Sequence, residues 1–360
     1  MRAAVCYEQG KPLVVEEVDL EPPEPGEVKV RLAATAICHS DIHFLIGDMP
    51  AKLPGLPGHE CSGYIDEVGE GVTSVKPGDH VVMGPVSGGC GHCINCMIGL
   101  RNMCMNRRPP KVHHRTKKGE PINTMAGPVG GFAEYTVVDQ YQVAKIDDDM
   151  PMDRAALLGC AVITGFGAAI NRAQVKPFQS VAVMGAGGVG MNALQGSAFS
   201  GAHPVIAVDV LDSKLAAAKT FGATDTVNAA KVEDPVKAVK DLTGGRGVDY
   251  VFITVASIDA VRQGIDMAGP RGMIIVIGIV QGNLDFLRAA GFIGSEKCFT
   301  GSMMGSTRLQ LDVPRYVAIY KAGRLKLDEL ITGRYPLDKI NDAVESSKSG
   351  EALRNVIVFE

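Results

Sequence analysis

The chain has 360 residues, 46% of them hydrophobic, and a formal net charge of −4. That length supports a large core and two or so domains, while the negative balance argues against a nucleic-acid binder, which needs a basic face for phosphate. No apolar run approaches the ~18 to 20 residues that span a bilayer, and the opening MRAAVCYEQGKPLVVEEVDL has no basic segment followed by an apolar core. The expectation is therefore a cytoplasmic protein with neither a membrane nor a nucleic-acid partner.

The first part of the chain, to about residue 160, is rich in Gly, Pro, Val and Thr. Its short β-like runs EVKVRLAATAI, CSGYIDEVG, DHVVMG and GFAEYTVV are separated by PG and GG turns. It reads as a β-rich domain whose loops carry chemistry. ICHSDIH and LPGLPGHECSG supply Cys38, His59 and Glu60, a mixture of soft, borderline and hard donors that suits Zn²⁺. A catalytic zinc wants three protein ligands and an open position, and Cys160, in LLGC at the junction of two differently textured regions, is a candidate for the remaining ligand.

Between these lies CGHCINCMIGLRNMC, which gathers Cys90, Cys93, Cys96 and Cys104. The other five of nine cysteines are scattered singly, and a reducing compartment disfavours disulfides, so metal or catalysis is the better reading of the cluster. A ferredoxin-type iron–sulfur run has three residues before its last cysteine and a proline after it, whereas here seven residues precede Cys104 and no proline follows. Overlapping the cluster, RNMCMNRRPPKVHHRTKK at 101–118 carries seven lysines and arginines and no acid. It is either a solvated surface loop or a docking point for an anionic substrate tail.

From about 163 to 304 strands and helices alternate: SVAVM, PVIAVDV, GVDYVFITV and GMIIVIGI are near-continuous apolar strands of a parallel sheet covered on both faces. GAGGVG, Gly185 to Gly190, follows the first strand and opens a helix, and Asp209 ends the next strand nineteen residues later. This is the dinucleotide fingerprint in its required setting: Gly185 for the tight turn, Gly187 for close approach of the pyrophosphate, Gly190 for helix–strand packing. The acid serves the adenosine ribose and disfavours a 2′-phosphate. The tail adds a helix-like LDKINDAVESSKSGE and a last strand, RNVIVFE, whose composition fits either domain.

CHSDIH, GHE, the four-cysteine run, LLGC, GAGGVG with Asp209, and the arginine of ALRNVIVF together resemble the zinc-dependent alcohol dehydrogenases of the medium-chain dehydrogenase/reductase superfamily, over essentially the full length. The resemblance implies an α/β fold: a GroES-like zinc-binding catalytic domain over 1–162, a Rossmann dinucleotide-binding domain over 163–304, and a return to the catalytic domain over 305–360. It implies hydride transfer between an alcohol and NAD, with two zincs per chain, in a homodimer or homotetramer. Cys90, Cys93, Cys96 and Cys104 would hold a structural zinc. Cys38, His59 and Cys160 would hold the catalytic one, with Glu60 close by and Asp41 orienting the histidine. Ser40 and His43 would form a proton relay. The cofactor would meet Gly185, Gly187, Gly188, Val189, Gly190, Asp209, Lys214, Ile279, Arg354 and His39, the last standing where many relatives carry an arginine. Met49, Val86, Arg108, Ile279 and Met303 would line the substrate pocket. One alternative keeps the chemistry but gives it a carboxylated or coenzyme A thioester-linked substrate, read through Arg108; a second, less favoured because it leaves Ser40, His43 and Glu60 unexplained, is a binding module that uses the zinc lobe and basic loop on nucleic acid.

Overall fold

Strand Glu27–Ala36 buries Val28, Val30, Leu32 and Ala34, the period-two alternation of a strand with one face in a core. The structure, a computed structural model, describes residues 1–86, 88–107, 109, 111–350 and 352–359. It divides into one unit comprising Met1–Ala161 with Arg308–Glu360 and another comprising Val162–Thr307.

In the first unit a seven-stranded sheet runs Val143–Lys145, His80–Met83, Glu60–Val68, Glu27–Ala36, Arg354–Val358, Ile331–Tyr335, with Tyr135–Asp139 also paired to Glu27–Ala36. The last strand of the chain thus belongs here. Val356 pairs with Ala36, and helix Ile340–Lys348 packs Ile340, Ala343 and Val344 into a core with Val5, Leu56 and Phe132. A five-stranded sheet joins Arg2–Val5, Val14–Leu20, His114–Thr116, Pro121–Thr124 and Gly55–Leu56.

Register in the larger sheet gathers chemistry. Ala36 is flanked by Glu60 on one side and Val356 on the other, so Cys38, His59–Glu60 and Arg354 leave three adjacent strands at the same end. Cys160 arrives from the end of helix Met152–Leu157 through Gly159, where a Cβ would stand 2.5 Å from the Met83 carbonyl oxygen and 3.1 Å from the Cys61 nitrogen. Only glycine lets that turn close on the sheet.

The second unit is a six-stranded, wholly parallel sheet. Numbered by chain order within the unit its strands lie 3-2-1-4-5-6, the doubly wound arrangement that reverses beside its first strand. Two of them, Asp225–Asn228 and Cys298–Gly301, were not among the apolar runs picked out above. Both are edge strands, DTVN and CFTG, and an edge strand needs little apolar sequence.

Candidate active site and metal centres

Helix His39–Ile46 starts at Cys38, whose backbone N–H donates to Asp41 Oδ2 at 3.1 Å. Asp41, fully buried, also accepts from the Gly58 N–H at 2.9 Å and from His59 Nδ1 at 3.1 Å. A carboxylate only accepts, so Nδ1 carries the proton and Nε2 offers its lone pair. The ligand atoms of Cys38, His59 and Cys160 lie within 4.8 Å of one another, all three residues buried. Ser40 Oγ sits 3.2 Å from Cys38 Sγ and 3.2 Å from His59 Nε2.

Beside this set Glu60 is fully buried. Its Oε1 accepts from the Ala161 N–H at 3.1 Å, the guanidinium of Arg354, itself 4% exposed, stands 3.3 Å from its Oε2, and Oε2 has no well-aligned hydrogen-bond donor. Burial pushes the Glu60 carboxyl up to about 7, against the pull of Arg354 and with the Cys38 sulfur adding to the rise. The hydrogen bond from Cys160 holds Cys38 well below the usual thiol range in spite of burial. Burial disfavours a charged His59, yet Asp41 and Cys38 outweigh it and hold the imidazole well above its usual range. Two sulfurs with one imidazole, gathered within reach of one point, are zinc donors.

Cys90, Cys93, Cys96 and Cys104 also bring their sulfurs within 4.8 Å of one another. Backbone N–H groups of Cys90 and Asn106 donate to Cys104 Sγ at 3.2 and 3.3 Å, and that of Cys93 to Cys90 Sγ at 3.4 Å, the pattern that stabilises metal thiolates. Four thiols and no open position fit a structural zinc.

In the other unit Gly185, at φ +93°, closes the glycine turn, and a Cβ on Gly190 would lie 1.8 Å from the Gly185 carbonyl oxygen. A Cβ on Gly187 would meet nothing within 4 Å, which leaves its backbone open to a ligand at the start of helix Gly188–Phe199. Asp209 accepts from the N–H groups of Ala186 at 2.7 Å, Val210 at 2.8 Å and Leu211 at 3.0 Å, tying the second strand to the turn. The arrangement fits a dinucleotide. Val189 and Lys214 are half-buried on the helices after the first and second strands.

Residues 24–148 match the alcohol dehydrogenase GroES-like domain and residues 188–321 the zinc-binding dehydrogenase domain. Alcohol dehydrogenase 1 of Pisum sativum is 37% identical over 100% of this chain and 97% of its own length. The NDMA-dependent alcohol dehydrogenase of Amycolatopsis methanolica is 35% identical over 99% of this chain and 98% of its own. The chain belongs to the zinc-binding alcohol dehydrogenases. Among solved structures, benzyl alcohol dehydrogenase of Acinetobacter calcoaceticus superposes with a TM-score of 0.92 at 32% identity, covering 100% of this chain and 99% of that one. The protein is thus a zinc-dependent oxidoreductase of the medium-chain superfamily that interconverts alcohols with aldehydes or ketones, and NAD is the cofactor typical of this family.

For this dehydrogenase the anionic-substrate alternative is not favoured by the alcohol dehydrogenases it resembles, and three cations of the basic stretch are paired with acids of the fold. Lys111 pairs with Glu24, Arg115 with Glu21 at 2.5 Å and Lys117 with Asp19 at 2.6 Å, because strand His114–Thr116 runs antiparallel to the acidic strand Val14–Leu20. Arg107 donates to the Asn102 carbonyl. Arg108 lies outside the described residues. Of the other candidate lining residues, Met49 and Val86 are half-buried in the first unit, and Ile279 and Met303 are exposed in the second. His39 is exposed at the start of its helix. One residue near the candidate relay escaped sequence reasoning: Asp48, whose Oδ2 is 2.8 Å from His43 Nδ1. An acid five residues beyond a histidine, across a helix end, has no periodic signature.

Proposed function

We propose that Cys38, His59 and Cys160 are the catalytic zinc ligands, that Cys90, Cys93, Cys96 and Cys104 hold the structural zinc, and that the substrate is an uncharged alcohol. The observation that carries this reading is the convergence of the first three donor atoms within 4.8 Å beside the buried carboxylate of Glu60, whose Oε2 has no well-aligned donor. Zinc at that site supplies a Lewis acid for the alcohol oxygen, and NAD supplies the hydride acceptor.

The chain's own part is orientation and proton transfer. Asp41 fixes the ring of His59. Ser40, whose hydroxyl stands 3.2 Å from two of the donor atoms, takes the alcohol proton. His43, one helical turn further on the same face, passes it to solvent. Glu60 pairs with the guanidinium of Arg354 beside the metal ligands, and Arg354 also serves the cofactor. Gly185 to Gly190 cradle the pyrophosphate, Asp209 takes the adenosine ribose with Lys214 alongside, and the substrate meets Met49, Val86 and Met303. A homodimer or homotetramer is the expected assembly. A cytoplasmic location is the expected one. No helix among the described residues is long and apolar enough to cross a membrane.

The test is metal analysis of the wild type and Cys38→Ser. The wild type should carry two zincs per chain. The variant should keep the fold and one zinc while losing at least ~10³-fold in kcat. Near-normal turnover by a one-zinc variant would sink the assignment.

A further inference from the structure

We infer that Asp48 is a positioning residue for His43, fixing the imidazole tautomer through which the proton leaves; this rests on the relay reading above. Helix His39–Ile46 ends on Gly47 at φ +91°, a left-handed residue that reverses the chain beneath the last turn. The reversal is clamped twice. The Met49 N–H donates to the His43 carbonyl at 3.3 Å, and Gln9 Nε2 donates to the carbonyls of Phe44 at 2.5 Å and Met49 at 2.8 Å. Asp48, inside that clamped turn, therefore has a fixed backbone, and its Oδ2 stands 2.8 Å from His43 Nδ1.

A carboxylate can only accept, so Nδ1 of neutral His43 must carry the proton, and Nε2 is left as the lone-pair nitrogen. Free histidine in water favours the opposite tautomer, with the proton on Nε2. Without Asp48 the ring would favour an N–H where a proton acceptor is wanted, and it would lose the hydrogen bond that orients it. The wrong tautomer of a catalytic histidine is costly even when its position is unchanged. Asp48 is 51% exposed and His43 33% exposed on their side chains, so the pair adds little to folding and its contribution is to orientation. Exposure also makes replacement at position 48 compatible with a folded enzyme.

The experiment uses zinc-loaded enzyme labelled with ¹⁵N-histidine, with His43 assigned by difference from His43→Gln. Above neutral pH, long-range proton–nitrogen correlations should show His43 protonated on Nδ1 in the wild type and shifted toward Nε2–H in Asp48→Ala. Asp48→Ala should lower kcat about tenfold with KM for the alcohol little changed, Asp48→Glu should restore part of it, and Asp48→Ala should add nothing in the His43→Gln background. Nε2–H as the main wild-type form would overturn the inference, as would an equal loss from Asp48→Ala with and without His43. Full kcat in His43→Gln would overturn the relay itself, and with it any catalytic use of Asp48, while the spectrum would still decide the tautomer.

Discussion

Asp41 is the side chain on which the candidate catalytic centre depends most directly, because its two oxygens hold the Cys38 N–H, the Gly58 N–H and His59 Nδ1 at once. An amide cannot accept all three, since half of its polar capacity is a donor. Asp41→Asn should therefore weaken the catalytic zinc by ~10 to 100-fold in a chelator competition, with the four-thiol zinc unaffected. Equal retention of both zincs would show that the histidine is oriented by something else. Asp209 is similar at the other centre: its carboxylate already anchors three N–H groups of the glycine turn and the chain after the second strand. It should favour NAD over NADP by like-charge repulsion of the 2′-phosphate. Asp209→Gly should relax that ratio of specificity constants and also cost about 1 to 3 kcal/mol of stability, because donors are left unpaired. A changed ratio with no loss of stability would mean that those backbone bonds contribute nothing.

Among elements, the four-cysteine lobe has little apolar core of its own. Ile94, Met97 and Met105 are 62%, 73% and 71% exposed, so apolar burial does not hold it. What holds it is the thiol cluster, together with Arg101, which stacks 3.7 Å over the Tyr141 ring and donates to the Gly88 carbonyl at 3.2 Å. Cys96→Ser should make residues 90–107 the first site of proteolytic cleavage and lower Tm, because a closed metal site contributes folding free energy outright. Arg101→Ala should do the same more weakly, by ~1 kcal/mol. Unaltered protease resistance in Cys96→Ser would count against a structural metal.

For the whole molecule, His114 links stability to pH. Burial drops its pKa to about 4, against the Tyr135 carbonyl it bonds at 3.2 Å and with His113 adding to the drop. The unfolded chain takes up this proton near pH ~6.5, before the native state does, so the native state loses ground as pH falls from there toward 4. The loss from this one group is about 3 kcal/mol, complete below the folded pKa. His114→Gln, which can still donate to Tyr135, should flatten the denaturation midpoint between pH ~6.5 and ~4 relative to wild type. Parallel curves for the two proteins would remove His114 as the cause.

Much of the molecule could be read from the sequence because the signals are local or chemically rare. GAGGVG needs only its neighbouring strand, helix and acid to be recognised, and the thiols and histidine of the two metal sets are uncommon residue types at telling spacings. The alternation of Glu27–Ala36 and the apolar strands of the parallel sheet follow from periods of a few residues. Tertiary structure alone decided the rest. The segment 101–118 has no acid of its own, and three of its cations, Lys111, Arg115 and Lys117, are matched by Glu24, Glu21 and Asp19, some ninety residues earlier, through strand register. Arg354 meets Glu60 across 294 positions of sequence, and RNVIVFE joined the first unit rather than the second by pairing with Ala36. Electrostatics and sheet pairing act through space, and a sequence does not display which distant strand will bring an opposite charge within reach.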